Sequence, residues 1–136
     1  MTRPATLFEA AERIAGGAEP GATLAEFLDT FYGTASPAAR LALLCREPPA
    51  TGQPRQDALM AAVAEYLAKQ HCLPAVPPWV TNPARCLKEP WFTTDSASEA
   101  MREYLAVSSP AEFRHHNIFT EAQPLRRASQ RRSDAD

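Results

Sequence analysis

Apolar residues return at helical spacing in several separate stretches of the chain, and most of those stretches begin with a recognisable start signal. Thr6, with Glu9 three residues on, opens a segment in which Leu7, Phe8, Ala11, Ile14 and Ala15 share one face. A threonine cap followed by a glutamate at that offset satisfies orphan backbone donors at a helix start. Gly16 and Gly17 supply a left-handed stop. Thr23 with Glu26 opens a second stripe of Leu24, Phe27, Leu28 and Phe31 that ends at Gly33. Ser36 before Pro37 forms the cap and first residue of a third helix, with Leu41, Leu44 and Cys45 as its stripe and Pro48-Pro49 as its limit. The fourth and longest helix runs from near Pro54 to about His71, with Leu59, Met60, Val63, Tyr66 and Leu67 on one face. Its length makes it the expected central core helix.

The pattern then changes. Pro74, Pro77, Pro78, Pro83 and Pro90 forbid a long helix over residues 73–92 and place the chain in turns and extended segments. Pro78-Trp79-Val80-Thr81 is echoed by Pro90-Trp91-Phe92-Thr93, each followed by a helix start, at Asn82-Pro83 and at Ser96 with Glu99. From Ser96 a helix to about Val107 is predicted to turn Ala97, Ala100, Met101, Tyr104 and Leu105 inward. Ser109, Pro110 and Glu112 cap one more short turn that carries Phe113, and Asn117-Ile118-Phe119 reads as a brief extended piece. No sustained alternation of period two predicts a strand.

The expected fold class is therefore all-α: a small irregular bundle of about five to six helices with a Pro-rich irregular middle segment and a flexible C-terminal tail. One domain is expected over residues 1–124, made of a helical unit (1–72) and a Pro/Trp-rich segment (73–124). Residues 125–136, which contain Arg126-Arg127 and Arg131-Arg132 but few apolar side chains, are expected to form a flexible basic tail.

Charge and composition narrow the function classes. A formal charge of −2 over 136 residues creates no global attraction to phosphate or anionic lipid, so any such contact needs a local patch, which only the tail offers. No apolar run approaches the roughly 18 residues that span a bilayer, and no basic then apolar leader opens the chain, so a cytoplasmic location is expected. Cys45, Cys72 and Cys86 have no CxxC spacing and are expected to be reduced and buried inert.

Candidate chemistry is sparse. His71-Cys72, Cys86 and His115-His116 lack the local spacings that gather a zinc ion, so neither metal nor other cofactor is expected, and satisfied or surface side chains are the better reading of His71, His115 and His116. No Gly-rich phosphate loop is present. The only Asp-x-Asp is Asp134-Ala135-Asp136, and Glu9, Glu12, Glu26, Asp29, Glu65, Glu99 and Glu103 read as solvated faces and caps. Trp79 and Trp91 suit core packing first and interface anchoring second. The tail arginines suit phosphate or a partner's carboxylates, and Arg126-Arg127-Ala128-Ser129 has the form of a basophilic kinase site.

The second half of the chain carries an ordered set of distinctive residues: Val76-Pro77-Pro78-Trp79-Val80, Asn82-Pro83-Ala84-Arg85-Cys86-Leu87 and Glu89-Pro90-Trp91-Phe92. Ser109-Pro110-Ala111-Glu112-Phe113-Arg114, Asn117-Ile118-Phe119 and Leu125-Arg126-Arg127-Ala128 follow. This set resembles an antitoxin-like family of bacterial proteins. Some of its members carry an added helix-turn-helix domain, and many are encoded beside a nucleotidyltransferase-fold protein in what looks like a toxin and antitoxin pair. The resemblance implies a non-enzymatic interaction protein that binds and masks a nucleotidyltransferase-type protein partner. Its expected partner-binding residues are Trp79, Trp91, Phe92, Phe119, Arg126 and Arg127.

Two other readings stand beside it. A DNA-binding regulator needs a recognition helix rich in Arg, Lys, Asn or Gln, yet residues 23–33 contain none and residues 37–46 only Arg40 and Arg46. With His115-His116 standing where basic residues are expected, nucleic-acid binding by this chain alone is not favoured. A small metal-dependent hydrolase would have to be built from the scattered histidines and cysteines. Self-association is left open by the sequence.

Overall fold

The computed structural model describes residues 2–94, 98–125 and 127. Among these residues six helices appear in the order α1 (Leu7–Ala15), α2 (Pro20–Tyr32), α3 (Pro37–Ala42), α4 (Pro54–Gln70), α5 (Glu99–Ser108) and α6 (Ala111–Arg114). Between α4 and α5 lie two single-turn 3-10 segments, Pro78–Thr81 and Pro83–Arg85, and a two-residue strand β1 (Trp91–Phe92). A matching strand β2 (Ile118–Phe119) follows α6. The expected small, irregular, mainly helical architecture is what forms. Among the described residues no helix is long and apolar enough to cross a membrane.

The start signals act largely as the sequence predicts. Thr6 Oγ1 accepts from the Glu9 amide at 3.1 Å, and Gly17, at φ +107°, lets the chain leave α1 in the left-handed conformation. The second helix begins three residues earlier than Thr23, because Pro20 is preorganised for a first helical turn and the Glu19 side chain accepts from the Ala22 amide. Thr23 is buried within α2 and donates its hydroxyl to the Glu19 carbonyl. The third helix has the predicted Ser36 cap but stops at Ala42, well before the prolines. There the Leu43 carbonyl turns to accept from the Leu7 amide, one of the orphan donors of α1, at 3.0 Å.

Helix α4 is central, but its burial is not confined to the predicted face. Ala58, Met60, Ala61, Ala62, Val63, Ala64, Leu67 and Ala68 are all buried, so neighbours close over most of its circumference. Five alanines let those neighbours approach closely. A single core cluster joins all of these but Ala68 to Leu7 and Ile14 of α1, Phe27 and Phe31 of α2, Leu44, Trp79, Phe113, Ile118 and Leu125.

The Pro-rich stretch is fastened to this helix by polar side chains that find backbone carbonyls. Trp79 is buried and its indole N–H donates to the Leu44 carbonyl at 2.9 Å. Arg85 is only 5% exposed; its guanidinium donates to the carbonyls of Pro48 (2.7 Å) and Asp57 (3.0 Å) and to the Glu47 carboxylate (3.2 Å), and lies over the Trp79 ring. The predicted helix start at Asn82-Pro83 yields one 3-10 turn, capped by Asn82 Oδ1 on the Ala84 amide.

A short parallel pairing of β1 with β2, Trp91 opposite Ile118 and Phe92 opposite Phe119, was not expected, since two residues are too few to show alternation. Ser109, expected to help cap α6, instead spends its buried hydroxyl on the backbone of Thr120, accepting from its amide at 2.8 Å. The domain also extends past 124. Leu125 is buried and its carbonyl accepts the Tyr32 hydroxyl at 2.9 Å, while Arg127 donates two hydrogen bonds of 3.1 Å to Asp29. Leu125 and Arg127 thus contact α2; the rest of the expected tail, with Arg126 and Arg131-Arg132, lies outside the described residues.

Two predictions follow from these geometries. Cys72 closes α4 at φ +52°, with the Leu73 amide donating to the Ala68 carbonyl, a position that favours glycine. Cys72→Gly should raise stability by roughly 0.5 kcal/mol in urea unfolding, since relieved strain exceeds the added freedom of the unfolded chain. Arg85→Lys should cost about 2–4 kcal/mol in the same measurement, because one ammonium cannot serve carbonyls that the planar guanidinium reaches together.

Candidate functional site

A carboxylate buried on α4 organises the described polar interior. Glu65 stands among Ala61, Ala62, Ala64 and Ala68, faces α6, and is 6% exposed. Its Oε2 accepts from Lys69 Nζ at 2.8 Å and meets His115 Nδ1 at 2.7 Å, while Oε1 meets His116 Nε2 at 3.2 Å. Lys69 follows Glu65 by one helical turn, the favourable order for such a pair. The two histidines reach the same carboxylate because α6 ends in a tightened turn, with His116 N–H donating to the Phe113 carbonyl and Asn117 taking φ +64°.

The proton positions follow from the partners. His116 Nδ1 lies 2.7 Å from the Arg85 carbonyl, which can only accept, so Nδ1 carries a proton. Contact with Glu65 through Nε2 is then a hydrogen bond when the ring is an imidazolium. Burial by itself would push the Glu65 carboxyl up; hydrogen bonds from Lys69, His115 and His116 outweigh it and hold the group below the usual glutamate range. On the neighbouring turn, Gln70 donates to the buried Glu112 at 3.3 Å, and Tyr66 meets Phe113 edge-on, completing the α4–α6 contact.

This cluster forms one wall of a pocket of about 490 Å³. Val76, Val80 and Pro83 form an apolar wall, with Thr81, Asn82 and Cys86 at its side. A volume of this size is in the range of small-molecule sites. Among the described residues no group of three or more His, Cys, Asp or Glu side chains is arranged to hold a metal ion. The metal candidates are separated instead: His71 packs against the rings of Phe31 and Tyr32, whereas His115 and His116 share Glu65. The three cysteines are unbridged, and all are exposed rather than buried.

The expected partner-binding residues separate into distinct environments. Trp79 is a core residue whose N–H is spent, so its ring is not displayed. Trp91 is half-buried under Arg55, 5.2 Å from the guanidinium to the ring centre. Phe92 and Phe119 are half-buried and stack at 5.0 Å between centroids, joined across the β1–β2 pairing. Arg127 is paired with Asp29, and Arg126 lies outside the described residues. Arg40 and Arg46, the two arginines weighed for base reading, are held internally, Arg40 on the carbonyls of Thr34 and Tyr32 and Arg46 over the Phe8 ring at 3.6 Å.

The exposed apolar surface lies elsewhere. Helix α5 starts at a Ser98 cap, whose hydroxyl accepts from the Met101 amide, while Ser96 and Ala97 lie outside the described residues. The helix buries Leu105 alone. Met101, Tyr104 and Val107, of which the first two were predicted to point inward, are 40%, 60% and 83% exposed. The stripe is helical as the spacing implied, but the core that should receive it is already filled by α4, α6 and β2.

Sequence reasoning missed the Glu65 cluster by assigning that glutamate to a solvated face. A signal was present: a carboxylate ringed at helical spacing by alanines sits where any neighbouring element buries it. Glu65→Gln should cost about 2–3 kcal/mol at pH 7, since the buried carboxylate that accepts from Lys69 and meets both histidine rings is lost from the core. Because the folded carboxyl titrates below its unfolded value, this contribution is complete above about pH 5 and is lost as pH falls through the folded value. The variant's unfolding free energy should be correspondingly flatter with pH in that acidic range.

Compared with protein-family models, with curated proteins and with solved structures, the chain matches none of them.

Proposed function

We propose that this protein is a non-enzymatic interaction module that docks on a protein partner and masks it, with helix α5 as the docking element. The observation that carries this reading is the contiguous stripe of Met101, Tyr104 and Val107 left facing solvent beside the single buried side chain Leu105. An apolar helix face that its own fold does not cover is the feature expected of a helix that binds in a groove. The stacked Phe92 and Phe119 lie against the same helix, since Arg102 of α5 is over the Phe92 ring at 5.4 Å. In this reading Phe92 and Phe119 are included among the docking residues, and Trp79, whose ring is buried, is replaced by the α5 stripe.

The partner class comes from the resemblance of the second half of the chain to antitoxin-like proteins: a nucleotidyltransferase-fold protein, of the kind encoded beside many members of that family. Masking by contact fits a chain whose strongest surface feature is apolar rather than charged. The internal engagement of Arg40, Arg46 and Arg127 supports protein docking over DNA reading.

Co-expression with a nucleotidyltransferase-fold protein encoded beside the chain tests this. The parent chain should co-purify with it and suppress its activity. Replacing Met101, Tyr104 and Val107 together by serine should weaken the complex by about tenfold or more, as removal of central anchors does, while the melting temperature stays within a few degrees because these side chains are exposed. A triple variant that binds and masks like the parent, or a parent that forms no complex, overturns the reading.

A further inference from the structure

We propose that the pocket beside Glu65 is a binding site for a small amphipathic carboxylate, its head group held by Lys69 and His115 and its hydrocarbon body against Val76, Val80 and Pro83. This site is separate from the α5 surface, and its test involves no protein partner.

The inference rests on what each polar group around the pocket still has to offer. Among the described residues Glu65 is the only acidic side chain lining it, and both of its oxygens are engaged, Oε2 twice and Oε1 once. Two other acidic residues stand near this wall: Glu112, buried against Gln70 and close enough to act on Lys69, and Glu47, which takes the Asn82 amide and Arg85. Asn82 is spent at both ends, donating to Glu47 and accepting from the Ala84 amide, and the Thr81 hydroxyl donates to the Pro78 carbonyl. His116 is occupied at both ring nitrogens.

What is left is one-sided. Lys69 gives Glu65 one of its three N–H groups, and its side chain is 45% exposed, so two donors face open space. His115 uses Nδ1 on Glu65 and turns Nε2 outward, its side chain 53% exposed. An anionic oxygen placed between them is met by the Lys69 ammonium and, because Nδ1 already donates to Glu65, by His115 Nε2–H when that ring carries both protons. A cationic head group there would meet Lys69 with no unsatisfied carboxylate to receive it.

The rest of the pocket selects the body. Val76, Val80 and Pro83 present hydrocarbon, and Val80 is held rigidly as part of the core while Val76, 36% exposed, stands at the mouth. Apolar walls with a few convergent donors at one end are the usual form of a site for an amphipathic small molecule. The volume of about 490 Å³ exceeds that of inorganic phosphate alone, so a bare anion leaves the apolar wall unused.

The test is a titration of the full chain, followed by amide proton and nitrogen NMR, with butyrate, hexanoate and octanoate and with octylamine, octan-1-ol and inorganic phosphate as controls. The carboxylates should shift resonances of residues around the pocket, with affinity rising with chain length, and octanoate should bind at least about tenfold more tightly than octylamine or octan-1-ol. Lys69→Met and His115→Gln should each weaken octanoate severalfold or more, and Val76→Asp should do so from the apolar side. Thermal melts confirm that each variant is folded, and a loss of binding shared by at least two folded variants supports the site. Binding of octylamine or octan-1-ol as tight as octanoate, phosphate equal to the carboxylates, octanoate binding unaffected by the variants, or no shifts with any carboxylate would each overturn the proposal.

Discussion

The enclosure of α4 is the constraint on which the rest of this structure depends. A helix of 17 residues with buried side chains around most of its surface must be covered from several directions at once, and no single partner helix can do that. The chain meets the requirement with α1 and α2 contributing Leu7, Ile14, Phe27 and Phe31 to the same core that receives Trp79, Phe113 and Ile118 from the second half. The alanines of α4 allow close approach. They also leave little side-chain volume of its own, so the covering elements supply the large residues.

Covering a helix with a proline-rich segment raises a hydrogen-bonding problem, because prolines donate nothing while their carbonyls still demand partners. The solution here is to send side-chain donors inward. Arg85 serves Pro48 and Asp57, Trp79 serves Leu44, and Asn117 donates to the Leu87 carbonyl at 3.0 Å. These contacts span 28 to 37 positions in the chain, so they tie loops together that have no regular ladder of their own. The residues of the Asn82-Pro83-Ala84-Arg85 run act first as fasteners.

The same enclosure accounts for both proposed sites. Glu65 is buried because α6 and the Pro83–Arg85 turn close over α4, and burying a carboxylate is tolerable only with cationic or donor partners, which Lys69, His115 and His116 provide. Their arrangement leaves Lys69 N–H groups and the outer nitrogen of His115 at the rim of a pocket. With the core filled by these elements, α5 is left with one buried residue and a solvent-facing apolar stripe, a cost in solvation that a docking partner would remove.

Local chemistry is what the sequence by itself determined: Thr6, Ser36, Gly17 and Pro37 act at helix ends through contacts a few residues long, and the stripe of α2 lies where its spacing puts it. Helix content, the central place of α4 and the irregular proline-rich stretch were legible for that reason. Which faces are covered was decided only by tertiary structure. Period and polarity say that Met101 and Tyr104 belong to an amphipathic face, but not that the core is already full when α5 arrives. They mark Glu65 as charged, but the two histidines that reach it lie 50 and 51 positions away. Burial and charge pairing are properties of space, and no pattern along the chain encodes which distant residue closes a given gap.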